Sequence, residues 1–387
     1  MKKVALHLQI FLCITLGLLT GCITPYEPEE MELQSNILVV EGSIIAPYGT
    51  EIKLSRIRPI TSSDTNESNF PTFENATVTI ITDDGQTVAQ AEAVTGETSY
   101  KVKDSLSFLS GKKYAIHIKL NNKEYQSKFV EPQITPEIDE VKYLYKELQQ
   151  VDIQVSTHND RPNSSCYYRW KYEEDWEIRS EYFSPFVWED NQLKQLQLAS
   201  PNNLYYCWIN DISKNFILGS TMQVQENRIK DHTILSIPRY NNRLSYLYSI
   251  LVKQYSLDKD AFDYFQNLQK NIDQTGGLFA PQPSEIKGNI TCLTNPDEVV
   301  IGYINATTET SYRLYLKAYE LAGMSDVYDC REQVPYSYDQ LKNAYNQGHG
   351  ILKETTSGYI CINIRCVDCT MRGGTKNKPA FWPNDHQ

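Results

Sequence analysis

The chain has 387 residues, with 37 Lys and Arg against 48 Asp and Glu, a formal net charge of −11. Hydrophobic residues make up 41% and charged residues 22%, which is globular material and not disordered polymer. The acidic balance excludes a nucleic-acid binder of the usual kind, which needs a basic footprint, and the length suggests about two to three domains.

The first segment reads as an address. Lys2 and Lys3 form a short basic region, and Val4 to Leu19 is a mostly apolar run broken by His7, Gln9 and Thr15. At roughly 16 residues it is short for a membrane span, which needs about 20, and it reads as a secretory signal peptide over residues 1–21. It ends in Leu19-Thr20-Gly21-Cys22, the order of a bacterial lipobox, so Cys22 is the expected lipidation site. Acyl chains buried at about 0.8 kcal/mol per CH₂ would hold the mature chain on a bilayer without spanning it. Residues 22–36 carry Pro25, Pro28, Glu27, Glu29, Glu30 and Glu32 and read as an acidic tether.

From Ile37 the pattern becomes short strands and turns. Ile37–Ile44, Glu51–Arg56, Ala76–Thr82, Gln86–Ala91, Tyr100–Lys103, Lys113–Leu120 and Lys123–Val130 are strand-like. Asp83-Asp84-Gly85 marks a hairpin, and Tyr114, Ile116, Ile118 and Leu120 share one side of the pleat. Seven short strands in this span predict an immunoglobulin-like β-sandwich over residues 37–132. Pro132 and Pro136 then mark a linker, because proline cannot donate to a sheet.

Residues 133–387 read as a second, larger β-rich domain with a helical insertion and a Cys-rich tail, which makes the protein mainly β. Strands are expected at Val141–Tyr145, Val151–Thr157, Cys166–Trp176, Tyr205–Asn210, His232–Ile237, Arg243–Tyr255, Gly288–Cys292, Val299–Asn305 and Tyr312–Lys317. A helix is expected near residues 256–275, capped by Ser256, with Ala261, Phe265, Leu268 and Ile272 on one apolar face and Gly276-Gly277 as its stop. Tyr336 to Gly350 reads as a short helix or a loop.

Seven cysteines remain after Cys13 and Cys22: Cys166, Cys207, Cys292, Cys330, Cys361, Cys366 and Cys369. Four crowd the tail over 330–387, so Cys330, Cys361, Cys366 and Cys369 are the candidate disulfide residues, with Cys330 bonded to one Cys of the final motif. The competing reading is a zinc site on the same four thiols, since Cys366-x-x-Cys369 has ligand spacing but lacks a second such pair. Connectivity cannot be read from spacing.

Catalytic signatures are weak. No zincin motif, nucleophile elbow or P-loop occurs. Glu173-Glu174-Asp175 imitates a glycosidase pair but reads better as a solvated turn or strand edge. Asp368, Arg372, Lys378 and Trp382 are the candidate binding residues of the tail; the alternative is a tight turn through Gly373-Gly374 that packs Phe381 and Trp382 back. No catalytic residue, metal or cofactor is assigned.

The tail segment Cys366-Val367-Asp368-Cys369-Thr370-Met371-Arg372-Gly373-Gly374 through Phe381-Trp382 resembles the closing motif of the Bacteroidota lipoproteins called the domain of unknown function 4249 family. Ile37-Leu38-Val39-Val40-Glu41-Gly42, Cys166-Tyr167-Tyr168-Arg169-Trp170, Leu278-Phe279-Ala280-Pro281-Gln282-Pro283, Ile286-Lys287-Gly288-Asn289-Ile290, Asn295-Pro296-Asp297-Glu298 and Gly302-Tyr303 agree with it. The resemblance implies an outer-membrane lipoprotein facing the cell surface. It further implies a non-catalytic accessory or binding subunit of a TonB-dependent nutrient importer, with the membrane and that receptor as partners. The alternatives are a surface hydrolase of glycans or peptides and an envelope scaffold. Residues 179–203 and 305–350 are the expected contact loops.

Overall fold

The computed structural model describes residues 37–384, apart from 58–72, 74–75, 147–148, 161–165, 201, 223–225, 240, 275–287 and 322–329. The expected signal peptide, Cys22, the acidic tether, the Gly276-Gly277 stop and the Leu278–Pro283 motif lie outside the described residues.

The N-terminal module follows the alternation in its sequence. Its strands are β1 (Leu38–Ala46), β2 (Glu51–Arg56), β3 (Thr77–Thr82), β4 (Thr87–Ala93), β5 (Ser99–Lys101), β6 (Tyr114–Leu120) and β7 (Lys123–Ser127). Tyr114, Ile116, Ile118 and Leu120 are buried in one core with Leu38, Val40, Ile52, Leu54, Val78 and Ile80. The β3–β4 turn closes with Gly85 at φ +82, donating to the Thr82 carbonyl at 2.8 Å. The sheet path runs β1-β2-β5-β4-β3-β6-β7, with β4 passing from one layer to the other.

The boundary expected after residue 132 does not close this module. The chain returns to it much later: β17 (Ile290–Cys292) adds antiparallel to β7, and β18 (Val300–Ile301) adds parallel to β1. Ile290, Cys292, Val300, Ile304 and Ala306 join the N-terminal core. The physical reason is edge closure. Unpaired strand edges demand partners, and partners as far apart in sequence as Ser127 and Ile290 or Leu38 and Val300 leave no local signal. Gly288 and Gly302 permit the return. A Cβ on Gly288 would stand 1.8 Å from the Gly302 carbonyl oxygen, and one on Gly302 would stand 2.1 Å from that of Val40. Asn289 fills the remaining backbone needs, donating to the Ile304 carbonyl at 2.7 Å and accepting from the Ile304 N–H at 2.8 Å.

The second module has two layers. One is β15-β9-β8, made of β8 (Ile138–Lys146), β9 (Gln150–His158) and β15 (Arg228–Pro238). The other contains β10 (Tyr167–Arg179), β13 (Tyr206–Ile212), β14 (Ile217–Ser220), β16 (Leu247–Leu257) and β19 (Ala306–Lys317). Val151, Ile153 and Val155 of the first layer meet Tyr168, Trp170, Tyr248, Ile250 and Val252 of the second. Strand β19 belongs to both modules. Its start pairs with Ile44–Ala46 of β1, and its remainder pairs with β16. One hydrogen-bonded path therefore crosses the whole body.

Three local expectations change. Arg243–Tyr255 is not one strand: Asn242–Leu244 forms a 3-10 turn because the Asn241 side chain accepts from the Arg243 N–H at 3.0 Å. The helix α1 (Lys259–Gln274) begins later than Ser256, which remains in β16; Asp258 caps it by accepting from the Ala261 N–H at 2.7 Å. Its apolar face stops short of Ile272, which is 56% exposed.

The tail forms a small module of β20 (Gln333–Tyr336), a one-turn-and-a-half helix α2 (Leu341–Asn346), β21 (His349–Thr355) and β22 (Gly358–Asn363). Of the expected contact loops, 186–195 is instead a hairpin of β11 (Phe186–Glu189) and β12 (Gln192–Gln195), turned through Asp190 and Asn191 at positive φ. Phe186, Trp188 and Leu193 pack it over Leu341, Ile351 and Cys361.

Candidate functional site

The C-terminal residues singled out in the sequence form a strap and not a convergent pocket. Cys330 is bonded to Cys366, and Cys369 is bonded to Cys207 on β13, a partner outside the expected four. Cys361 is not bridged; it is a buried thiol whose ionisation burial pushes up to about 11. The disulfides use three of the four thiols that zinc would need, which overturns the zinc reading, and among the described residues no group of three or more His, Cys, Asp or Glu could hold a metal ion. Asp368 is buried and accepts from the Thr370 N–H at 2.9 Å, capping a 3-10 turn over Cys369–Arg372. Arg372 donates to the Arg179 carbonyl at 2.5 Å. Lys378 donates to Asn384 at 2.6 Å at the surface. Trp382 is buried against Trp208 and Leu247 and donates to Glu177 at 3.3 Å. Thr375 exchanges backbone hydrogen bonds with Trp208 at 2.8 and 2.9 Å, covering the free edge of β13.

The strap covers one end of an outward sheet face, and α1 covers the other. Along β10, Tyr168, Trp170, Glu174, Trp176 and Ile178 point inward and are buried, while Arg169, Lys171, Glu173, Asp175, Glu177 and Arg179 alternate onto the outward face. At the helix end, Tyr167, Phe216 and Leu218 pack with Phe262 and Phe265 of α1. At the strap end, Trp382 closes over Trp208 and Leu247. Between these two covers the outward face, a trough only in having both ends walled, carries Lys171, Glu173 and Asp175 of β10, Lys253 of β16, and Arg313 of β19, with Lys171 and Glu173 more open than Asp175 and Arg313.

The floor is a charge mosaic. Lys253 pairs with Glu173 at 2.5 Å. Arg313 bridges Asp175 at 3.6 Å, donates to the Ser249 hydroxyl at 2.8 Å, and stacks over Phe381 at 3.5 Å. Burial pushes the Asp175 carboxyl up, against the pull of Arg313. Glu177 accepts from Arg179 at 2.6 Å. Lys171 stands directly across from Lys253 in the β10–β16 register and makes no ion pair among the described residues. It is exposed to solvent, and its ammonium also lies over the Tyr255 ring, 6.0 Å from the centroid. Partial burial, with Arg169 and Lys253 acting in the same direction, holds its amine down to about 8. Burial also lowers Arg169, to about 10.

The Glu173-Glu174-Asp175 triplet is split by the pleat. Glu174 turns into the core, where it accepts from the Tyr248 hydroxyl at 2.7 Å and from Arg243 at 3.1 Å, and burial raises its carboxyl. Strict period-two charge along Arg169, Lys171, Glu173, Asp175, Glu177 and Arg179 was the sequence signal for the trough. It was present in the strand but mute about which cross-strand neighbours would face it.

Two other features belong to the scaffold. The Asn295-Pro296-Asp297-Glu298 turn lines an open groove of about 530 Å³ beside Ile37, and Glu298 ties it to the N-terminal module through Lys123 and the Tyr125 hydroxyl. His349 and Cys361 border a small cavity of about 20 Å³, room for roughly one water. No described helix is long and apolar enough to cross a membrane.

No curated protein matches the chain. A two-domain fibronectin type III segment of chicken tenascin is similar at 12% identity, covering 58% of this chain and 91% of that one with a TM-score of 0.15. The family model described as a domain of unknown function, DUF4249, matches residues 23–313, ending inside β19 and before the strap. Because that match spans most of the sequence, the chain belongs to the DUF4249 family.

Proposed function

We propose that the protein is a non-catalytic lipoprotein of the bacterial outer membrane, moored through Cys22 and facing the cell surface, where it serves as a binding and accessory subunit of a TonB-dependent nutrient importer. The lipobox sequence Leu19-Thr20-Gly21-Cys22 supports the mooring. The two disulfides suit an oxidising compartment outside the cytoplasm.

The observation that carries a binding role over hydrolysis is the commitment of the trough carboxylates. Glu173 is held by Lys253 and Asp175 by Arg313, while the neighbouring Glu174 lies on the opposite face of the strand. A glycosidase needs two carboxyl groups flanking one bond, one of them free to give a proton. A charged face on a continuous sheet is suited instead to contact with a ligand or a neighbour.

The test is mild detergent extraction of outer membranes carrying the tagged chain. An outer-membrane barrel is expected to co-purify, and Cys22→Ser is expected to release the chain from the membrane. Recovery of the lipidated chain as a lone monomer, with known barrel complexes intact in the same extract, would overturn the accessory role.

A further inference from the structure

The protein carries 11 more acidic than basic side chains, yet two cations on the trough face, Arg169 and Lys171, make no ion pair among the described residues. Of the acids near them, Glu173 is paired with Lys253, Asp175 with Arg313, Glu177 with Arg179 and Glu51 with Lys101 at 3.6 Å, Glu309 accepts from the Tyr255 hydroxyl at 2.5 Å, and Glu41 acts on Arg169 only through space. Arg169 makes no ion pair among the described residues, and its Nε is buried without a hydrogen-bond acceptor. Its guanidinium lies over the Phe216 and Phe265 rings, 5.0 and 4.6 Å from their centroids. Aromatic faces hold a cation by their quadrupole without neutralising it. Lys171 follows two positions along the same face, roughly 7 Å on by strand rise, and its long side chain opens to solvent.

This arrangement costs stability in the free protein. Like charges opposite one another across a strand pair repel, and Lys171 faces Lys253 in register. A buried guanidinium with an unused N–H is also costly. An oxyanion would relieve the like-charge repulsion, accepting charge-assisted hydrogen bonds from Lys171 and from the terminal N–H groups of Arg169.

We propose that Arg169 and Lys171 form the cationic pole of an anion-binding site at the α1 end of the trough, which takes a carboxylate or sulfate group of a small ligand. The remaining charged groups around it are Lys253, already paired with Glu173, and the carboxylates of Glu41, Glu51 and Glu309, whose repulsion favours a compact anion over an extended polyanion. The assignment deepens the binding role proposed above. It does not depend on the membrane barrel, because anion binding and barrel co-purification are read in separate assays.

The experiment uses the purified full chain in detergent, with its lysines ¹³C-dimethylated and observed by NMR. The Lys171 signal is identified by its loss in Lys171→Gln. Sulfate and galacturonate are the probes for the two oxyanions, and galactose is the neutral control. Either anion is expected to shift the Lys171 signal and raise its titration midpoint, galactose to do neither. In calorimetry, affinity for the responding anion is expected to fall roughly tenfold or more in Lys171→Gln, to be recovered in Lys171→Arg, and to be unchanged in Lys230→Gln on the surface of β15. A response to sulfate alone or galacturonate alone assigns the oxyanion. A Lys171 signal unmoved by both anions, or an equal shift at many lysines including Lys230, would overturn the proposal. Circular dichroism of Lys171→Gln separates lost binding from lost folding.

Discussion

Trp170 donates its indole N–H to the side-chain carbonyl of Gln254 at 2.9 Å, with both residues fully buried. The Gln254 amide in turn donates to the Pro136 carbonyl at 2.9 Å and the Thr157 hydroxyl at 3.0 Å. One side chain thus ties β10 and β16 to the inter-module linker and to β9 in the facing layer.

Replacing Gln254 with Leu keeps the volume but strands the Trp170 N–H in the core. An unsatisfied buried donor costs about 1–3 kcal/mol. Gln254→Leu is therefore expected to lower the urea midpoint by an amount equivalent to about 2 kcal/mol with an unchanged slope. A midpoint equal to that of the parent protein would show that this link contributes nothing to stability.

The strap disulfides close loops of very different length. Cys207–Cys369 has a sequence separation of 162 and Cys330–Cys366 one of 36. In the chain-entropy account, loops of these lengths contribute about 4–5 kcal/mol, the longer more than the shorter. Cys369→Ala is thus expected to lower the melting temperature more than Cys330→Ala, and reductant to lower that of the parent. Alkylation in denaturant without reductant is expected to label Cys166, Cys292 and Cys361 but none of the four bridged residues, as read by peptide mass spectrometry. Full labelling of Cys207 and Cys369 would remove the strap.

The Lys171 amine sits near 8 in the folded protein and near 10.5 in an unfolded chain. Between these values the unfolded chain holds a proton that the folded one lacks, so this group makes stability rise with pH across the window. Below about 8 both states are protonated, and the folded state carries the whole penalty. Lys171→Met is accordingly expected to be more stable than the parent at pH 7. The gain is no more than about 1 kcal/mol, since solvent screens an exposed charge. The advantage is expected to shrink as pH rises from 8 toward 10.5. A gap that is constant or widens with pH, measured by urea unfolding at stepped pH, would remove the electrostatic account of this residue.

The sequence by itself determined whatever depends on neighbours a few residues apart. Alternation placed Tyr114, Ile116, Ile118 and Leu120 on one core face, Asp83-Asp84-Gly85 specified a turn, and the spacing of Ala261, Phe265 and Leu268 put one helix face inward. Only the tertiary structure decided which distant segments meet. It filled the open edges of the N-terminal module with residues near 290 and 300, shared β19 between two modules, and gave Cys369 to Cys207 in place of a nearer thiol. It also set Lys171 across from Lys253, although both strands were legible on their own. The reason is that side-chain period is local and repeats every two or 3.6 residues, whereas strand partnership is a long-range choice made by edge satisfaction and core volume.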